Sequence, residues 1–160
     1  MEDNNGNQTL NAHYENPEEI VAASLQILKE AGFKITQKRR EIIEIFANEQ
    51  SYHKAKEIYS YLAEKYPTMS YNTTYRNLYD FVDYGILETT EYQQEQLFRI
   101  ACNHDHNHHH HFICTSCGMT IALDICPMNL LGDSLNDVQV DSHRFEVFGL
   151  CQACLGQASQ

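Results

Sequence analysis

The cysteines carry the clearest chemical signal in this 160-residue sequence. Four of the six fall into two pairs, Cys114-x-x-Cys117 and Cys151-x-x-Cys154. A two-residue gap lets both sulfurs of a pair turn toward one point from a tight knuckle, and Gly118 follows the first pair. Two such knuckles make a closed tetrahedral thiolate site. That donor set favours zinc, leaves no position for water and contributes directly to folding. The 33 residues between the pairs exceed the usual zinc-ribbon spacing, so a small folded unit has to form between them.

Cys102, His106, His108, His109, His110 and His111 form a second constellation. In an extended segment alternate residues share a face, which sets His109 with His111 and His108 with His110. Two imidazoles on one face, a nearby thiolate and one carboxylate would make a mixed nitrogen, sulfur and oxygen site suited to zinc. Solvated histidines, and a lone buried thiol at Cys102, are the competing readings of the same residues.

Periodicity supplies the elements that must position these groups. Asn16-Pro17-Glu18-Glu19 is a helix start, with a capping Asn, proline at the first position and acids suited to the dipole. Ile20, Val21, Leu25, Ile27 and Leu28 form its apolar stripe, and Gly32 ends it. Thr36 opens a second helix with Ile42, Ile43, Ile45 and Phe46 inward. A third covers about 54–65, stopping before Pro67. Ser70 or Asn72 caps a fourth, with Tyr75, Leu78, Phe81 and Val82 periodic and Gly85 closing it.

The period then changes to that of strands at 86–91 and 96–100, around a polar turn. Compact helices followed by a hairpin predict a winged helix-turn-helix whose last helix enters the major groove. Beyond it, strands at 111–115 and 119–123, a helix at 127–136 and a strand at 138–148 predict a small α/β module. The expected class is therefore α+β. The expected divisions are a disordered arm at 1–15, a DNA-binding domain at 16–100 and a metal-binding dimerisation domain at 101–160.

The charge must be divided before it can be interpreted. The chain carries −11 overall, yet residues 33–79 hold eight basic side chains against five acidic ones. Salt screening confines contact electrostatics to roughly 10 Å, so this locally basic stretch can still track phosphates. No apolar run approaches the ~20 residues of a membrane span, and the acidic, Asn-rich start does not resemble a secretory signal. Unexported cysteines are expected to stay reduced, which favours metal over disulfides and a cytoplasmic location.

Taken in order, Asn72-Thr73-Thr74-Tyr75-Arg76, His108 to His111, Phe112-Ile113-Cys114-x-x-Cys117-Gly118, and His143 through Gly149-x-Cys151-x-x-Cys154 resemble the ferric uptake regulator family, over roughly residues 17–155. Cys102 ahead of the histidines and Cys126-Pro127-Met128 resemble its zinc-uptake branch. The resemblance implies a zinc-loaded homodimeric repressor that binds double-stranded operator DNA and controls zinc-uptake genes, and not an enzyme. It implies two zinc ions per chain, a structural one on Cys114, Cys117, Cys151 and Cys154 and a sensory one on Glu88, Cys102, His109 and His111.

Iron-sensing relatives also use a histidine before the third helix. Tyr52 holds that place here, with His53 next to it. Some relatives have a further site matching His108, His110 and His143 plus a carboxylate, but Asn129 stands at the carboxylate position. Cys126 fits neither zinc set and reads as a buried thiol at a helix start. Tyr75 and Arg76 are the implied base or phosphate contacts, with core packing as the rival role for Tyr75. Lys38, Arg39 and Arg40 are expected at phosphates.

In a two-fold dimer, ligands drawn from both domains would set the recognition helices about 34 Å apart, one turn of DNA. An iron- or peroxide-sensing regulator of the same family is the alternative. A zinc deaminase would need a Pro-Cys-x-x-Cys pair, and neither pair here follows proline. A zinc-buffering protein would leave the basic helix-turn-helix stretch unexplained.

Overall fold

The computed structural model describes residues 16–102 and 110–157. The expected arm at 1–15 and the ligand candidates His108 and His109 lie outside them. The chain divides into two compact units between positions 105 and 106.

In the first unit, α1 covers Pro17–Glu30, and the Asn16 side chain accepts the Glu18 N–H at 2.9 Å. Helix α2 spans Gln37–Glu49, where the Thr36 hydroxyl accepts the Arg39 N–H at 3.3 Å. The short strand β1, His53–Lys54, precedes α3 at Ala55–Lys65. Helix α4 is Tyr71–Asp83, and Ser70 provides its cap, accepting the Thr73 N–H at 3.1 Å. Strands β2, Leu87–Tyr92, and β3, Glu95–Ile100, form the hairpin. Its turn residues Gln93 and Gln94 both take positive φ, 50° and 66°, so the turn's twist matches that of the strands.

The sheet order is β1-β3-β2, antiparallel throughout. Two residues are too few for β1 to show a strand period in the sequence. Leu28, Ile42, Ile43, Phe46, Leu62, Leu78, Phe81, Ile86 and Phe98 are fully buried and fuse helices and hairpin into one core. Helices followed by a hairpin form the winged helix-turn-helix layout.

The second unit is a three-stranded sheet in the order β5-β4-β6. Strand β4 is His110–Cys114, β5 is Thr120–Leu123 and β6 is Glu146–Gly149. Strand β4 pairs antiparallel with β5 and parallel with β6. Two short 3-10 turns, Pro127–Leu130 and Gly132–Leu135, stand where a helix is expected over 127–136. Gly132, Asp133, Ser134 and Asn136 are weak helix formers and account for the break. The expected strand over 138–148 shrinks to β6. Among the described residues its pairing with β4 starts at Glu146, opposite His111. A closing helix, α5 at Gln152–Gln157, follows the second cysteine knuckle.

One buried charge helps join α2 to α3. The Glu41 carboxylate is 7% exposed and accepts hydrogen bonds from Lys65 Nζ, from Tyr66 Oη at 3.0 Å and from Gln37 Nε2 at 3.0 Å. The Lys65 bond, opposed by burial and reinforced by Gln37 and Tyr66, holds this carboxyl below its usual value. A depressed carboxyl stabilises the fold above its unfolded value, and that contribution is lost as pH falls through the folded value. Glu41→Gln should therefore lower the urea midpoint at neutral pH. It should also make the further decline below about pH 4.3 shallower than in the parent chain, as measured by urea titration across pH.

Candidate metal centres and nucleic-acid interface

Parallel pairing brings the two cysteine knuckles together. Cys114 ends β4 opposite Gly149 of β6, and the Thr115 N–H donates to the Gly149 carbonyl at 2.8 Å. A side chain at Gly149 would place its Cβ 3.1 Å from the Phe112 ring, so glycine lets the strands close without displacing that ring. The first knuckle turns through Gly118 at φ +73°, whose N–H donates to the Cys114 carbonyl at 2.9 Å.

The sulfurs of Cys114, Cys117, Cys151 and Cys154 all lie within 4.8 Å of one another, with Cys117 and Cys151 3.8 Å apart. Sulfurs about 2.3 Å from a tetrahedral centre stand about 3.8 Å apart, so the cage already has the span a zinc ion requires. Burial opposes ionisation of Cys114, but backbone N–H groups of Cys117, Cys151 and Ser116 outweigh it and bring the thiol down to about 6. At Cys117 a bond from the Met119 backbone is outweighed by burial and the neighbouring sulfurs, which push it up to about 12. Metal binding requires thiolates, so a cation entering the cage would release the protons its sulfurs still hold.

In the first unit the hairpin and the residues after it gather a second set. Glu88 sits opposite Arg99 in the β2–β3 register. Its Oε2 accepts the Cys102 N–H at 3.3 Å, while its Oε1 accepts the Tyr52 hydroxyl at 3.1 Å. Arg99 Nη1 lies 3.3 Å from Glu88 Oε1 and 2.7 Å from Cys102 Sγ, and Arg99 Nε donates to the Gln50 carbonyl at 3.1 Å. Burial, then the Glu88 charge, raise the Cys102 thiol above its ordinary value, with Arg99 opposing.

The structure therefore brings Glu88 and Cys102 together, sets Tyr52 beside them, and adds Arg99, which sequence spacing did not mark. Arg99 reads in sequence as a strand residue, and only its cross-strand register with Glu88 reveals the contact. His53 is engaged elsewhere, with Nε2 2.9 Å from Glu49 and Nδ1 3.6 Å from Glu57. His111 belongs to β4 in the second unit, and His109 lies outside the described residues.

A third cluster joins His110, Cys126 and His143, whose donor atoms lie within 4.8 Å of one another. Cys126 Sγ is 3.3 Å from His143 Nε2, and the two imidazole rings are 5.2 Å apart. Cys126 is half-buried ahead of a 3-10 turn, rather than a buried thiol at a helix start. Asn129, at the expected carboxylate position, is exposed.

On the basic face, α4 exposes Tyr71, Asn72, Thr73 and Arg76. Tyr75 is half-buried in an aromatic column. Ring centroids separate by 5.9 Å from Tyr71 to Tyr75, 4.8 Å from Tyr75 to Tyr79 and 5.6 Å from Tyr79 to Phe98. The Tyr75 hydroxyl donates to that of Tyr79 at 3.1 Å. Arg39 ties α2 to α4, donating to Asn77 Oδ1 at 3.0 Å and to the Lys34 carbonyl at 2.7 Å. Lys38 lies over the Tyr66 ring, and Arg40 makes a loose 4.0 Å pair with Glu44.

The sequence matches the ferric uptake regulator family over residues 30–148. The chain belongs to that family. It is 43% identical over 136 residues to a ferric uptake regulation protein of Staphylococcus epidermidis, covering 85% of this chain and 96% of that protein. It is 46% identical over 131 residues to one of Staphylococcus aureus, covering 82% and 95%.

Among solved structures, the Helicobacter pylori ferric uptake regulator, described with three functional metal binding sites, superposes with a TM-score of 0.65 at 21% identity, covering 88% of this chain and 95% of that one. A zinc uptake regulator complexed with zinc and DNA gives 0.65 at 18% identity, covering 92% and 100%. Both share the fold. As a family member, the protein is a metal-responsive transcription regulator that binds DNA, and its cysteine cage is able to hold a metal ion.

Cys117→Ser leaves three sulfurs in the cage. It should lower bound metal by one ion per chain in native mass spectrometry and strip hydrogen-exchange protection from β4 and β6. Exchange in α1 to α4 should stay at the parent level.

Proposed function

We propose that the protein is a zinc-responsive repressor that binds operator DNA as a homodimer in the cytoplasm and controls zinc-uptake genes. The observation that carries this reading is the pairing of Glu88 with Cys102. A thiol and a carboxylate form a donor set suited to a borderline ion such as Zn²⁺, and Tyr52 occupies the place where the resemblance puts a histidine in iron sensors. An iron- or peroxide-sensing role is the second reading, and the names of the staphylococcal relatives, ferric uptake regulation proteins, favour its iron form. Zinc, iron and manganese presented at buffered free concentrations separate the two.

In this reading the structural ion sits on Cys114, Cys117, Cys151 and Cys154, and the sensory ion on Glu88, Cys102, His109 and His111. When bound, the sensory ion supplies a double positive charge to which thiolate, carboxylate and imidazole can all attach. Glu88 comes from the wing of the DNA-binding domain, 16–100, Cys102 from the hinge that follows it, and His109 and His111 from the dimerisation domain, 101–160. Shared ligation favours one mutual arrangement of the two only by its difference in affinity, typically about 1–3 kcal/mol.

The His110, Cys126 and His143 cluster keeps two histidines of the further site found in some relatives and adds a thiol beside them, while Asn129 stands at the carboxylate position, and it suits a further ion of the zinc class. Pairing of two chains is supported by apolar side chains that the single chain leaves open, including Ile125 at 72% and Leu130 at 84% exposure. Arg76 is the base or phosphate contact with its head group in solvent. Lys38, Arg39 and Arg40 line the second helix, and Tyr75 contributes its ring edge.

Cys102→Ser should remove one zinc per chain and abolish zinc-dependent operator binding in a gel shift, while sedimentation still reports a folded dimer. Normal zinc-dependent binding by that variant overturns the sensory assignment. Arg76→Ala should weaken operator binding by about 1–3 kcal/mol at fixed salt with an unchanged melting temperature.

A further inference from the structure

We infer that Arg99 is a built-in competitor for the sensory site, a fixed cation that holds Glu88 and Cys102 in the metal-free protein and thereby sets how much free metal is needed to fill it. The inference rests on the reading of Glu88 and Cys102 as sensory ligands. It adds a residue that determines the site's threshold.

The geometry supporting it is local to the hairpin. One guanidinium nitrogen, Nη1, reaches both prospective ligand atoms, Glu88 Oε1 at 3.3 Å and Cys102 Sγ at 2.7 Å. These are the lone pairs an incoming ion would use. The arginine side chain is 11% exposed, so its charge is poorly screened by water. Guanidinium cannot give up its proton under any condition the protein meets, so the charge remains unless the side chain moves.

The positive group is also held in place from behind. Arg99 Nε donates to the carbonyl of Gln50, the left-handed residue that caps α2. Glu88 is fixed by the Tyr52 hydroxyl and the Cys102 N–H. The carboxylate can therefore keep its position while the arginine withdraws. For Glu88 and Cys102 to ligate, Arg99 must release both atoms, or a divalent ion must sit beside a buried like charge. Either route subtracts from affinity. That subtraction is common to all divalent ions, so Arg99 sets the threshold of the site while the sulfur and oxygen donors set the choice among ions.

The test uses the full-length dimer with its cysteine cage loaded. Zinc affinity is measured by competition with a fluorescent chelator, and the melting temperature of the protein lacking only the sensory ion is measured alongside. Arg99→Gln keeps a side chain able to hydrogen-bond the Gln50 carbonyl but removes the charge. It should tighten zinc binding about tenfold or more, with ions per chain unchanged, and lower the melting temperature of the sensory-site-empty form. Arg99→Lys retains the charge and should stay near the parent affinity.

Equal affinity in Arg99→Gln and the parent, or weaker binding, overturns the inference. Weaker binding in both variants would mark Arg99 as a scaffold for the ligands instead. Cys102→Ser, run in parallel, separates the two failures. If it binds zinc as the parent does, the sensory assignment itself is wrong and the inference falls with it. If it loses the site while Arg99→Gln matches the parent, only the role of Arg99 fails.

Discussion

The second unit depends on the convergence of four sulfurs more than on a hydrophobic core. Among its described residues only His110, Ile113, Cys114 and Cys151 are buried, and two of those are cage cysteines. A three-stranded sheet of four- and five-residue strands cannot bury enough apolar surface to offset its chain entropy. The parallel pairing of β4 with β6 is the least local contact in the unit, and it is the one that closes the cage. A metal ion held by the cage would therefore stabilise the sheet directly, because the same pairing forms both.

The first unit follows the opposite logic. Its core is continuous through four helices and a hairpin, with most of its large apolar side chains fully enclosed. That enclosure lets the unit hold charges in defined places without metal, as with Glu41 between α2 and α3 and with Glu88 and Arg99 across β2 and β3. Buried groups of this kind are tolerated only when each is paired, and the pairing fixes their positions. Glu88 and Cys102 thus sit on a part of the protein with its own closed core, whereas the four cage cysteines belong to a part with almost none.

Much of this was legible in the residue order. Helix caps at Asn16, Thr36 and Ser70 and the period change after Gly85 locate the first unit, because capping and amphipathicity are local properties. The paired cysteines announce the cage for the same reason. What stayed hidden depends on partners distant in sequence. Strand β1 depends on the edge that β3 offers, and of the 138–148 segment it is β6 that meets a described partner, β4. Cys126 meets His143 only once the turns between them fold. Arg99 reaches Glu88 and Cys102 through hairpin register, which spacing alone does not display.

The aromatic column on α4 limits how any signal can leave the hairpin. Its rings run from exposed Tyr71 through Tyr75 and Tyr79 to Phe98, the residue just before Arg99. Close-packed rings do not slide past one another in small increments, so helix and wing are locked in phase. A tilt of α4 against the hairpin would have to break these ring contacts. A displacement of the hairpin is thus passed to α4 through Phe98 and Tyr79 as a joint movement of the two.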